Sequence, residues 1–182
     1  AQIFEGNGDK VGSEFLVNTH TTAAQALPTV AADGSGGFVV AWWSHDQDGS
    51  IGGIFGQRFD SAGLPVGGEF QVNTYTEGLQ FMPALAVDGP GNFVVVWEGI
   101  GQDGDLGGVF GQRYDSEGTS VGTEFQVNSF TTNYQAYPVV AMAGPGGFVV
   151  AWHSYRGVSD WGVFGQRYDS AGNPIGSEFQ VE

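Results

Sequence analysis

One sequence unit of about fifty-five residues is written three times through this chain, and that period leaves few folds open to it. Trp42, Trp97 and Trp152 stand 55 and 55 residues apart, as do Pro28, Pro83 and Pro138. Arg58, Arg113 and Arg167 follow at 55 and 54, and Glu14, Glu69, Glu124 and Glu178 at 55, 55 and 54. A fixed long period marks a repeat architecture: each unit is too small to bury its own apolar face, and the core forms where neighbours stack.

Within a unit the pattern predicts four short strands. The first, Pro28–Ala32, opens on a proline, whose missing N–H costs least at the start of a strand. The second, Phe38–Trp42, is an unbroken apolar run of the kind buried on both faces. The third, Ile54–Asp60, and the fourth, Glu69–Asn73, alternate apolar with polar positions and so have one buried face. Asp33-Gly34 and Asp60-Ser61-Ala62-Gly63, with their counterparts in the other units, are hairpin turns that explain much of the 32 glycines. No segment keeps a helical period.

The expected fold is therefore all-β, built from four-stranded antiparallel blades in a β-propeller-like array; a β-trefoil-like fold or an open repeat array is the alternative. Residues 1–18 form a half unit, because Ala1–Glu5 aligns with Gly56–Asp60 and Glu14–Asn18 with a fourth strand. Units then run over 19–73, 74–128 and 129–182, all within one repeat domain. Three and a half blades do not close a ring, since closed propellers have about four to eight. An open edge templates pairing with another chain. Ala1, Gln2, Ile3, Phe4, Phe15 and Val17 of the half unit are thus the candidate assembly residues, with like chains as partners in a ring or fibre.

The segments Gly-Gly-Phe-Val-Val-Ala-Trp (36–42), Gly-Ile-Phe-Gly-Gln-Arg-Phe-Asp (53–60) and Val-Gly-Gly-Glu-Phe-Gln-Val-Asn (66–73) resemble the repeats of large secreted bacterial proteins of haemolysin and adhesin type. The resemblance covers nearly the whole chain. It implies an extracellular or cell-surface bacterial setting and carries no catalytic residues across.

Charge narrows the partners. Twenty acidic against five basic side chains give a formal −15, which repels phosphate backbones and anionic membranes and concentrates cations. Nucleic acid and membrane insertion are therefore not expected. Calcium is the one cofactor considered, through Asp46 and Asp48 and through Asp103 and Asp105 in the loops after the second strands. The third unit offers only Gly157-Val158-Ser159-Asp160 there. Cysteine is absent, so no disulfide or thiolate site holds the fold.

In so acidic a chain the recurring arginines are expected to pair with recurring acids: Arg58 with Glu69, Arg113 with Glu124, Arg167 with Glu178. The alternative use is a glycan site made of Gln57, Arg58, Gln112, Arg113, Gln166 and Arg167 with Trp43 and Trp161 as stacking faces. Trp42, Trp97 and Trp152, at the end of the most apolar strand, read as core. No nucleophile elbow, zinc-protease run or phosphate loop is present, and residues repeated in every unit build scaffold rather than chemistry. The functional expectation is a non-catalytic adhesive or structural repeat protein that self-assembles through its open edges, with a propeller-type lectin as the alternative.

Overall fold

The computed structural model describes residues 1–157 and 161–181. The half unit contributes β1 (Ile3–Phe4) and β2 (Lys10–Val11). The first blade is β3 (Gln25–Ala32), β4 (Phe38–Ser44), β5 (Gly53–Phe59) and β6 (Pro65–Gln71). The second is β7 (Gln80–Val87), β8 (Phe93–Ile100), β9 (Gly107–Tyr114) and β10 (Ser120–Gln126). The third is β11 (Gln135–Met142), β12 (Phe148–Tyr155), β13 (Trp161–Tyr168) and β14 (Pro174–Val181). Each blade is an antiparallel meander in sequence order, as the pattern predicts, and no described residue is helical. The innermost strands β3, β7 and β11 lie beside one another, the arrangement of a propeller and not of a trefoil.

The core lies between blades. Val39, Ala41, Ile54 and Val72 of the first blade close on Leu85, Phe93, Val95, Trp97 and Tyr114 of the second. Val94, Val96, Val109 and Val127 repeat the contact against Phe148, Val150, Trp152 and Tyr168 of the third. The three recurring tryptophans are all buried. At each boundary a fourth-strand phenylalanine tilts onto a stacked aromatic pair: Phe70 on Phe93 and Tyr114, then Phe125 on Phe148 and Tyr168. Glycine beneath that ring is required, because a Cβ on Gly111 would stand 2.8 Å from Phe125 Cζ.

The first and fourth strands start earlier than expected, each with a bulge as its cause, and the second runs on to Ser44 while the fourth stops at Gln71. The first strand starts at Gln25, not at Pro28: Ala26 pairs with Trp43 and Thr29 with Ala41, so Leu27 and Pro28 together oppose Trp42. Proline is tolerated inside the strand because the bulge needs no donor there. The fourth strand starts at Pro65 and bulges at Gly67, whose φ is +75°. In the half unit, residues 14–18 form no regular strand, although Phe15 and Ala1 exchange backbone hydrogen bonds of 2.5 and 3.0 Å.

Phe15 and Val17 pack on Val40, Trp42, Phe55 and Phe59 of the first blade. A Cβ on Gly63 would meet Ile3 at 2.9 Å. Ile3, Phe15 and Val17 thus pack on the chain's own first blade, while Ala1 and Phe4 are exposed. Ala1, Gln2, Ile3, Phe15 and Val17 line a cavity of about 1010 Å³ together with Pro28, Val30, Val40 and Trp42 of the first blade.

Candidate functional site

Each blade has a lower end, with the two hairpin turns, and an upper end, where first and third strands begin and second and fourth strands finish. The recurring charged residues divide between them. At the lower end Arg58 donates from Nη1 to the Glu117 carbonyl at 2.5 Å and from Nη2 to that of Ser116. Arg113 does the same to Ala171 and Ser170, both at 2.6 Å. At the upper end Glu69 accepts from Thr19 N at 2.6 Å and Oγ1 at 2.9 Å, with Gln47 on its other oxygen at 2.5 Å. Glu124 holds Thr74 and Gln102 likewise; Glu178 holds Ser129 and pairs with Arg156.

The expected Arg58–Glu69, Arg113–Glu124 and Arg167–Glu178 pairs thus do not form among the described residues. The fourth-strand bulge sets Arg58 opposite Val66, so acid and base lie toward opposite ends of the strands. Each guanidinium of the first two blades clamps the turn of the next blade instead. Gln57, Gln112 and Gln166 are buried and donate to the carbonyls of Arg58, Arg113 and Arg167, which removes them from any surface site.

The aspartates weighed as calcium ligands hold turns. Asp48 Oδ1 accepts Ser50 N at 3.0 Å, Asp105 Oδ2 accepts Asn133 N at 2.8 Å, Asp103 Oδ1 accepts Asp105 N at 3.3 Å, and Asp46 meets His45 Nδ1 at 3.0 Å. Among the described residues no three acidic or histidine side chains gather into a ligand set. Val158, Ser159 and Asp160 of the third loop lie outside the described residues.

Upper-end geometry is fixed by a buried amide relay. Asn128 Oδ1 accepts Val109 N at 2.7 Å, its Nδ2 donates to Gln135 Oε1 at 3.1 Å, and Gln135 Nε2 donates to Thr132 O at 2.9 Å. Asn73 and Gln80 repeat it between the first two blades. Above the relay the first-strand bulge holds Leu27, Met82 and Tyr137 at φ of 53°, 53° and 55°. Left-handed backbone on a non-glycine residue just before proline is strained by about 1–3 kcal/mol. It recurs in every blade, while the residue it presents changes.

The next position to change is the one after the core tryptophan: Trp43, Glu98, His153. Glu98 is the chemically distinctive member. It is 4% exposed, on β8 between Phe81 and Val109, and it has no salt bridge among the described residues. Its Oε2 accepts the Tyr137 N–H across the blade boundary at 3.4 Å. Its Oε1 faces Gly107, where a Cβ would stand 3.4 Å away. Burial pushes the Glu98 carboxyl up to about 7, the single hydrogen bond from Tyr137 opposing this only weakly. The group is thus an acid that still holds a proton near neutrality. Trp43 is half-buried against Gly52, where no side chain would fit, and its ring meets His45 edge-on at 5.7 Å. Trp161 is exposed, beside His153 and Tyr155.

Of the residues expected from sequence, Trp161 lies with Tyr137 and His153 at the upper end of the third blade, across the boundary from Glu98. Glu98 does not recur: 27/82/137 and 43/98/153 are among the upper-end positions whose residue differs in every unit.

No protein-family model and no curated protein sequence matches this chain. Solved structures do. An endo-arabinase from Bacteroides thetaiotaomicron VPI-5482 superposes with a TM-score of 0.56 at 15% identity, over 96% of this chain and 68% of that one. An alpha-L-arabinofuranosidase from Lactobacillus brevis gives 0.51 at 9%, over 85% and 53%. An endo-1,4-beta-xylanase from Bacteroides thetaiotaomicron VPI-5482 gives 0.50 at 11%, over 96% and 63%. This chain thus spans about two thirds or less of their length, and at these identities the likeness is one of fold.

The expectation of a non-catalytic adhesive repeat, and of a chain without enzymatic activity, fails on this comparison. The same blade arrangement carries carbohydrate-acting enzymes, so repetition of the scaffold does not argue against catalysis. Chemistry in such a scaffold has to be sought in residues that break the repeat.

Proposed function

We propose that this chain is a carbohydrate-active enzyme of propeller type, cleaving a glycosidic bond with Glu98 as the proton donor. The observation that carries the reading is the isolated, buried Glu98 carboxyl, raised to about 7 and placed at the boundary of the second and third blades. A general acid works best with a pKa near the working pH, and desolvation without a counter-charge supplies that. In the reaction the Glu98 proton passes to the leaving glycosidic oxygen as its bond to the anomeric carbon breaks. Water adds to that carbon, and the proton it loses restores the carboxyl. Fold likeness to an arabinase, an arabinofuranosidase and a xylanase supports carbohydrate as the substrate class and makes arabinan and xylan the first substrates to try.

The test is release of reducing sugar from arabinan, xylan and aryl arabinofuranosides by the wild-type chain and by Glu98→Gln. Turnover by the wild type that falls at least about 100-fold in Glu98→Gln is the expected result, the scale of a lost general acid. Equal turnover by both overturns the role of Glu98, and no turnover on any glycan overturns the reading.

A further inference from the structure

At its upper end the third blade carries four rings that no other blade repeats. The Tyr137 and His153 centroids are 5.6 Å apart, those of His153 and Trp161 6.3 Å, and those of Tyr155 and Trp161 5.4 Å. At the same places the first blade has Leu27, Trp43, His45 and Gly52, and the second has Met82, Glu98, Ile100 and Gly107. Tyr137 and Trp161 are 55% and 53% exposed. Trp161 sets this face apart from the blade boundaries within the chain, which have glycine at the same place. Its counterparts Gly52 and Gly107 form parallel bridges to Leu79 and Tyr134 of the following unit. Even a Cβ on Gly107 would stand 3.3 Å from the Tyr134 ring and 3.5 Å from the Gln135 carbonyl. The third blade thus presents an indole where the two inner boundaries bring a following strand against glycine.

We infer that Tyr137, His153, Tyr155 and Trp161 form a stacking shelf for a neutral oligosaccharide, an assignment that rests on the glycan reading above and names its substrate class. Sugar rings expose apolar C–H faces that lie on aromatic rings, while tyrosine hydroxyl and imidazole groups bond the hydroxyls at their rims. Four rings in succession suit a chain of two or more sugar units. The formal −15 of the protein opposes uronic acids and leaves neutral sugars as the matching class. The shelf also borders the acid: Tyr137, which offers its ring to solvent, donates its backbone N–H to Glu98.

Titration of the full chain with neutral arabino- and xylo-oligosaccharides, and with oligogalacturonate as acidic counterpart, tests the shelf by tryptophan fluorescence and calorimetry. Saturable binding of a neutral oligosaccharide is expected, weakened about five- to ten-fold by Trp161→Ala and by Tyr137→Ala and kept by Trp161→Phe. Leu27→Ala, at the equivalent bulge of the first blade, should leave it unchanged, and thermal melts of each variant verify folding. Affinity indifferent to Trp161→Ala, preference for oligogalacturonate, or no binding of any neutral oligosaccharide overturns the shelf. The two readings fail separately. Binding that needs Trp161 without turnover keeps the shelf and removes the acid role; turnover that needs Glu98 with a KM untouched by Trp161→Ala does the reverse.

Discussion

The lower and upper ends of the blades use the same repeat to opposite purposes. Below, each unit repeats its neighbour: an Asp-led turn, with Asp60 Oδ1 accepting Ala62 N at 2.9 Å and Leu64 N at 2.8 Å, and an arginine clamp from Arg58 or Arg113 onto the next blade. Above, the Asn–Gln relay and the strained bulge also repeat, yet the side chains they hold change from blade to blade. Leucine, methionine and tyrosine occupy one position; tryptophan, glutamate and histidine the other. A repeated backbone with varied side chains is how a scaffold presents a site, since rigidity comes from the shared part and chemistry from the rest.

That contrast can be broken by substitution. Trp97→Ala removes a fully buried ring from the shared core and should cost about 3–5 kcal/mol, enough to collapse both ends together in a denaturant melt. Glu98→Gln should act differently, on pH dependence. The folded state raises this carboxyl from 4.5 to about 7 and so binds the proton more tightly than the unfolded chain does. The contribution of Glu98 to stability is then greatest below about 4.5, declines as pH rises through about 7, and is flat above, a loss on the order of 3 kcal/mol. Melts of Glu98→Gln should lack that decline; an unchanged pH profile would show that Glu98 is not the titrating group.

Smaller effects sharpen the picture. Asn128→Ala leaves the Val109 N–H and the Gln135 carbonyl oxygen without partners and should cost about 1–3 kcal/mol by urea titration. Arg113→Met removes two hydrogen bonds to exposed carbonyls of the third blade, with an expected loss of about 1 kcal/mol. Trp161→Ala should alter stability by no more than about 0.5 kcal/mol, because half the side chain already faces water. A larger loss would assign Trp161 to the scaffold.

Much of this architecture is legible in the chain. Period, turn chemistry and the apolar second strand predict the blades and place the three core tryptophans correctly. Partnerships that cross units are not legible: Arg58 reaches Ser116 and Glu117, nearly sixty residues on, and the glycine bulge that breaks register with Glu69 follows no hydrophobic period. Glu98 was visible as a lone acid after Trp97, but only burial, the Tyr137 N–H and the absence of a salt bridge among the described residues give it meaning, and those belong to the fold.

The most direct test of the upper end as the working end is hydrogen–deuterium exchange of the Glu98→Gln chain with and without a neutral xylo- or arabino-oligosaccharide. The account predicts slowed exchange in the segments holding Tyr137, His153, Tyr155 and Trp161, with the lower turns at 60–64 and 115–119 unchanged. Protection confined to the lower turns, or to the cavity beside Phe15 and Val17, would contradict it.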